Sequence, residues 1–386
     1  MRFETTPLLL KLPLSGGLKE TYGGGENAVL LEGRHMRRPD AARDTVLIFM
    51  HPTATLDTLP MPREFARRGV PVLACASRYP HNDSALIMEN VLLDLGACVR
   101  HAREQLGYKN VVLAGWSGGA SLCVYYQAQA EKLSVTATPA GEPIDLSGLP
   151  RADAILQLAA HSSRARIMTE SMDASIRNEL DPNDRDPALD LYGGTPTPPY
   201  DADFVTLYRA AQIARNRKIT AWVRETLESL QRRGSRDVER CFVTHGTMAD
   251  PRWLDPALDA NDRVAGRCYM GDPAVANNGP IGLARFSTLR SWLSQWSIDE
   301  SFANTERQGA QVTVPALVIA NGADDACAPS HTNTIFERLG GSKQQHTIRG
   351  ANHYYIGQRE QLFEAIDICI TWMQQNKLLG SLPDRA

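Results

Sequence analysis

Several things are scarce or missing in this chain of 386 residues, and each closes off a class of function. No stretch approaches the roughly 20 consecutive apolar residues of a membrane span. The early apolar run Pro7-Leu8-Leu9-Leu10 is too short for a signal-peptide core and lacks a small-x-small cleavage site. Seven cysteines (Cys75, Cys98, Cys123, Cys241, Cys268, Cys327, Cys369) are odd in number, widely spaced and free of any C-x-x-C pair. That argues against a disulfide framework or a zinc knot and fits a reducing, cytoplasmic setting. Cys75, Cys98, Cys123 and Cys369 sit in apolar runs and read as small core residues. A net charge of −3 gives no reason to expect nucleic acid or an anionic membrane surface as partner. No H-E-x-x-H or similar His/Asp cluster has metal-ligand spacing, so no metal is implied. The triplet Gly23-Gly24-Gly25 lacks both the G-x-G-x-x-G spacing and a following helix, so no dinucleotide or other cofactor is expected.

What is present is an ordinary soluble composition, 43% apolar and 22% charged, with enough length for a large core. The informative run is Gly115-Trp116-Ser117-Gly118-Gly119. An apolar segment with strand character (110–114) precedes it, and helical spacing follows (120–132). A serine on a turn this tight adopts a strained backbone, and its neighbours two positions away must be small for strand and helix to approach. Such a turn lifts the hydroxyl above the strand's carboxyl end and aims the next backbone N–H at the same point.

The rest of residues 1–160 alternates strand and helix signals. Residues 7–13, 27–33, 45–50, 71–76 and 154–159 read as strands, 62–69 as a short helix and 83–107 as a long one opened by Asn-Asp-Ser cap chemistry. Residues 161–305 break the rhythm. They are rich in Asp, Arg, Pro and aromatics, with helical runs at 203–216 and 218–233 and little strand signal. Alternation returns over 306–386, with strands at 314–320 and 346–349 and helices at 330–339 and 358–374. Near-continuous apolar strands bounded by helices predict a doubly wound, mostly parallel sheet covered on both faces, with a mostly helical segment inserted after the sixth strand.

A serine needs a base within reach and a third group to orient that base. In doubly wound sheets such groups gather at the carboxyl ends of strands. After the strand at 314–320 comes Asn321-Gly322-Ala323-Asp324-Asp325-Ala326-Cys327-Ala328-Pro329; after the strand at 346–349 comes Gly350-Ala351-Asn352-His353-Tyr354-Tyr355. Strand, G-x-S-x-G, helix, then a carboxylate and a histidine after two later strands, resembles the α/β-hydrolase superfamily over residues ~25–160 and ~310–375. The resemblance implies Ser117 as nucleophile, His353 as base and Asp325 as the acid, four residues before the proline, with Asp324 as the alternative. It also implies an oxyanion loop after the third strand. Here that loop reads His51-Pro52-Thr53-Ala54, and because proline has no N–H the donor shifts to Thr53, with Ala54 behind it; Gly118 supplies the second donor and His51 braces the loop. His245-Gly246 lies in the insertion and reads as a decoy.

By the same resemblance, residues 161–305 form a lid over Ser117. Trp116, His161 and Tyr354 are candidate substrate contacts. Tyr192, Tyr200, Phe204, Tyr208, Trp222, Trp253, Trp292 and Trp296 supply a core for the lid, with two or three of them reaching substrate. Arg164, Arg166, Arg215 and Arg217 offer cations for a substrate carboxylate, or simply solvated helix faces; Arg78, Tyr79 and His81 invite the same two readings. The expected activity is hydrolysis of a carboxylic ester of a small or medium organic substrate through an acyl-enzyme. Cleavage of a carbon–carbon bond in a vinylogous diketone, a lactone or a thioester uses the same groups, and a slow ligand receptor on this fold is the non-enzymatic reading. A small molecule is the expected partner, without nucleic acid or membrane insertion, and a homo-oligomer is compatible with the sequence.

Overall fold

The computed structural model describes residues 3–13, 28–232 and 238–382. The triplet Gly23-Gly24-Gly25 lies outside them. Eight strands form one sheet: β1 (Glu4–Pro13), β2 (Ala28–Arg37), β3 (Thr45–His51), β4 (Val72–Ala76), β5 (Asn110–Trp116), β6 (Ala154–Leu158), β7 (Ala316–Asn321) and β8 (Lys343–Ile348). Their spatial order is β1-β2-β4-β3-β5-β6-β7-β8. β1 and β2 pair antiparallel, as do β2 and β4, and every pair from β4 to β8 is parallel. The expected doubly wound, mostly parallel sheet is the one the chain builds.

Strand alternation sends successive side chains to opposite faces, and β3 shows the result. Val46, Ile48 and Met50 join one apolar cluster with α2 (Met88–Glu104) and α3 (Gly118–Glu131). Leu47 and Phe49 join another, with Phe65 of α1 (Pro60–Arg67) and Ile366 and Trp372 of α7 (Arg359–Gln375). Both faces are therefore covered, which is why β3 reads as an unbroken apolar run. Burial of each large side chain here stabilises by about 1.5–3 kcal/mol. A sixth helix, α6 (Pro329–Arg338), lies between β7 and β8. Among the described residues no helix is long and apolar enough to cross a membrane.

The segment between β6 and β7 carries α4 (Arg164–Ser171) and the 31-residue α5 (Ala202–Arg232), into which the two expected helical runs merge. It also holds two short ribbons, Ile176–Asn178 with Asp181–Arg185 and Cys241–Val243 with Phe286–Thr288, too brief to leave a strand signature in the sequence. The buried stripe of α5 is partly polar. Gln212 donates to the carbonyls of Glu170 and Met172, Arg215 to those of Asp173, Gly246 and His245, and Asn216 to that of Trp296. These side chains satisfy carbonyls at helix ends and in the loops beside them.

One boundary differs from the sequence reading for a tertiary reason. The helix expected from residue 83 begins at Met88, because the residues before it serve the insertion. The Ser84 carbonyl accepts from the Thr288 N–H, and the Asp83 carbonyl accepts from Ser291 Oγ and Gln295 Nε2.

In the first turn of α2, Glu89 is fully buried and accepts hydrogen bonds from Tyr125 Oη on α3 at 3.0 Å and Ser294 Oγ of the insertion at 2.7 Å. Burial pushes its carboxyl from 4.5 up to about 7. The folded state thus keeps a proton that the unfolded chain has already released. Its contribution to stability is whole below pH ~4.5 and lost as pH rises through ~7, on the order of 3 kcal/mol. Thermal melts of the wild type are expected to fall between pH 5 and pH 8, and Glu89→Gln to flatten that fall; parallel pH profiles for the two proteins would refute the assignment.

Candidate active site

β5 ends at Trp116 and α3 begins at Gly118, leaving Ser117 alone on the turn with φ 50° and ψ −116°. A positive φ on a residue with a side chain costs about 1–3 kcal/mol. The Ser117 N–H is tied to the Leu158 carbonyl of β6 at 3.0 Å. Glycine on either side makes the turn sterically feasible. A Cβ on Gly115 would lie 2.6 Å from Ala120 Cα, and one on Gly119 2.5 Å from the Met50 carbonyl oxygen on β3. The serine hydroxyl consequently stands at the head of α3, where the helix dipole and unpaired N–H groups favour negative charge.

The loops after β7 and β8 are fastened to each other. Gly322 N–H donates to Ile348 O and Ala323 N–H to Ala351 O, both at 2.8 Å. Asn321 Nδ2 reaches Asn352 O at 2.8 Å while its Oδ1 accepts from Tyr355 Oη at 2.7 Å. This fastening brings His353 Nδ1 to 3.0 Å from each carboxylate oxygen of Asp324. Both residues are buried. A Nδ1–H donated to the carboxylate leaves Nε2 as the acceptor, the tautomer a general base needs.

The acid is therefore a correction: Asp324, not Asp325, faces His353. Asp324 Oδ1 also accepts the N–H groups of Ala326 (2.8 Å) and Cys327 (2.7 Å), a side-chain turn that curls the carboxylate inward. Asp325 is half-buried on the outer side of that turn, where its carbonyl accepts from the Tyr269 N–H of the insertion at 3.0 Å. Burial and the neighbouring Asp324 raise its carboxyl, opposed by His353.

Cys327 completes the cluster. Ligand-type atoms of Asp324, Cys327 and His353 lie within 4.8 Å of one another, and the Ser117 side chain is near the thiol. Burial, with Asp324 beside it, pushes the thiol well above its ordinary value. The Asp324 oxygens already meet two N–H groups and an imidazole.

The loop after β3, expected to supply oxyanion donors, yields a second correction. The Thr53 and Ala54 N–H groups both point into the ring of His51, donating to Nδ1 at 3.1 and 3.0 Å. Neither the expected donor nor the one behind it is turned to Ser117. Two N–H groups on Nδ1 fix the other tautomer, with the proton on Nε2. Desolvation, then the charges of Arg164 and His353, presses the His51 imidazole down to about 3, so it is neutral at physiological pH. Its Nε2 edge lies against Gly118, 2.6 Å from where a Cβ would stand. Gly118, as the first residue of α3, has an N–H with no partner within the helix.

Of the candidate contact residues, Trp116 is buried with its ring 5.9 Å from that of His353 and 6.1 Å from that of Tyr355, so it backs the base. The Tyr354 ring stands edge-on to His353 at 4.6 Å. His161 is buried with Nδ1 unpartnered among the described residues, and desolvation and four neighbouring basic groups hold it well below its ordinary value. Trp292 and Trp296, Tyr200 and Tyr208, and Trp253 belong to apolar clusters internal to the insertion, and Trp222 is exposed. Arg78 pairs with buried Asp94.

No protein-family model matches the sequence, and no curated protein matches it. Among solved structures the chain is similar to the alpha/beta hydrolase GrgF from Penicillium sp. sh18, at 11% identity and a TM-score of 0.52, over 96% of this chain and 98% of that one. DcsB, solved with its substrate analogue, matches at 13% identity and a TM-score of 0.49 over 96% and 99%. Est1E from Butyrivibrio proteoclasticus matches at 13% identity and a TM-score of 0.46 over 90% and 94%. At these identities the likeness is one of fold.

Proposed function

The chain has the α/β-hydrolase fold, and from that premise we propose that it is a serine hydrolase that cleaves a carboxylic ester of a small or medium organic substrate. The observation behind the reading is a strained Ser117 at the head of α3, with Cys327 near both that serine and a buried His353–Asp324 pair whose tautomer leaves Nε2 as the acceptor. Ser117 Oγ attacks the carbonyl carbon as its proton passes to His353 Nε2. Asp324 holds the ring and stabilises its charged form. The negative oxygen of the tetrahedral intermediate is met by Gly118 N–H and His51 Nε2–H. His353 then protonates the leaving alcohol, and water repeats the cycle on the acyl-enzyme.

Residues 1–160 and 306–386 act in this reading as the catalytic core and 161–305 as a cap. Hydrogen bonds from Asn261 Nδ2 to the Asp324 carbonyl (3.0 Å) and from Arg164 to Asp83 (3.0 Å) seat the segment 161–305 on the core and support that reading. Seven unpaired thiols, six of them buried, support a reducing compartment.

A fluorophosphonate probe tests the reading directly. It is expected to add its phosphonyl group to Ser117, located by peptide mass spectrometry, with no adduct on Ser117→Ala and with turnover of p-nitrophenyl butyrate by the wild type alone. A wild-type protein that neither labels nor turns over the ester would sink the proposal.

A further inference from the structure

Of the four arginines that the insertion offers as cations for a substrate, three are engaged elsewhere. Arg166 pairs with Glu170 and Glu306, Arg215 with Glu179 and three carbonyls, and Arg217 with Asp299 at the surface. Arg164 differs. It is 4% exposed and lies over the Trp296 ring, 4.4 Å from its centroid. Its Nε and Nη2 bond to Gln295 Oε1 at 3.2 and 3.0 Å, and Nη2 bonds to Asp83 Oδ2 at 3.0 Å. Its Nη1 has no hydrogen-bond partner among the described residues. That nitrogen stands 3.2 Å from where a Gly118 Cβ would be, on the side of Gly118 that His51 Nε2 also faces.

Three sources of positive potential thus converge beside Ser117: the head of α3, the His51 Nε2–H and one free edge of a guanidinium. His161, with its own orphaned Nδ1, lies near enough to Arg164 to feel its charge. Two neutral donors suffice for a transient oxyanion. Arg164 is desolvated and shares its charge with Asp83 through Nη2, while Nη1 keeps unfilled donors that can give a charge-assisted hydrogen bond to a carboxylate oxygen already present before reaction. Resting on the serine-hydrolase reading, we propose that the substrate is a monoanionic ester, its carboxylate held by Arg164 Nη1 next to the scissile carbonyl.

The test compares charged and neutral esters of similar size, after subtraction of spontaneous hydrolysis. On the acyl side p-nitrophenyl hemisuccinate is set against p-nitrophenyl valerate, and on the alcohol side 4-acetoxybenzoate against p-tolyl acetate. The wild type is expected to favour the charged member of one pair by about 10- to 100-fold in kcat/KM, and the pair that responds tells which side of the ester carries the anion. Arg164→Gln is expected to abolish that preference and Arg164→Lys, which keeps the charge, to retain part of it. Melting temperatures report whether either variant is folded, and if Arg164→Gln is not, Arg164→Lys alone must still lower the preference. No preference in the wild type for either pair, or a preference that survives in folded Arg164→Gln or is undiminished in Arg164→Lys, overturns the proposal. Equal loss on charged and neutral esters does so too, since it marks a role in the oxyanion site or the fold. If Ser117 labels but neither preference appears, only the substrate class falls; if Ser117 does not label and no ester is turned over, the hydrolase reading falls and this proposal with it.

Discussion

Asp324→Asn lowers kcat for p-nitrophenyl butyrate by about 10⁴-fold, while Asp325→Asn stays within about 3-fold of wild type. The asparagine keeps the size of the side chain, and its amide oxygen can still accept the N–H groups of Ala326 and Cys327 that shape the turn. The change lies at the imidazole. An amide nitrogen turned toward His353 Nδ1 meets a donor with a donor, so the ring is driven to the tautomer whose proton sits on Nε2, where it cannot accept from Ser117. At Asp325 nothing of the kind occurs, because the structural contact there is made by the main-chain carbonyl. Steady-state kinetics on the pair settles the matter, and a larger loss at Asp325 than at Asp324 would contradict the geometry.

His51 bears the second large effect. His51→Phe removes the Nε2–H and is expected to lower kcat by about 10²- to 10³-fold, with KM changed only a few-fold, the pattern of a donor engaged only when the carbonyl oxygen gains charge. His51→Gln separates this role from that of a loop brace. Its amide N–H groups can reach the position of Nε2, but it has no acceptor at the position of Nδ1 for Thr53 and Ala54. A donor role predicts partial recovery in the glutamine variant; a bracing role predicts that the two variants fail alike. Rates within about 3-fold of wild type in both would remove His51 from the reaction.

Much of this was legible before any coordinates. The G-x-S-x-G turn, the two later loops and the parallel sheet leave marks in residue type and spacing, because glycine, proline and long apolar runs answer to local backbone geometry. The two corrections fall where spacing stops being informative. Asp324 and Asp325 are adjacent and chemically identical, and which one turns inward depends on the hydrogen bonds its carboxylate collects from Ala326 and Cys327. Thr53 is the residue selected because Pro52 has no N–H; the ring of His51 intercepts the Thr53 N–H, and only the fold shows that. Arg164 was visible as one arginine among several. Its distinction is an unfilled donor edge beside Gly118, a property of packing that composition does not carry.

The anchoring of Arg164 has an evolutionary consequence. The same guanidinium that offers Nη1 beside Ser117 joins Asp83, from the loop after β4, to Gln295, deep in the insertion. A point change that alters selectivity there also loosens a seam between two parts of the chain, leaving Asp83 and Gln295 without their shared donor. Descendants seeking new substrates have easier routes through residues free of that double duty. This position is therefore expected to drift slowly, and to change only in company with a neighbour that repairs the seam.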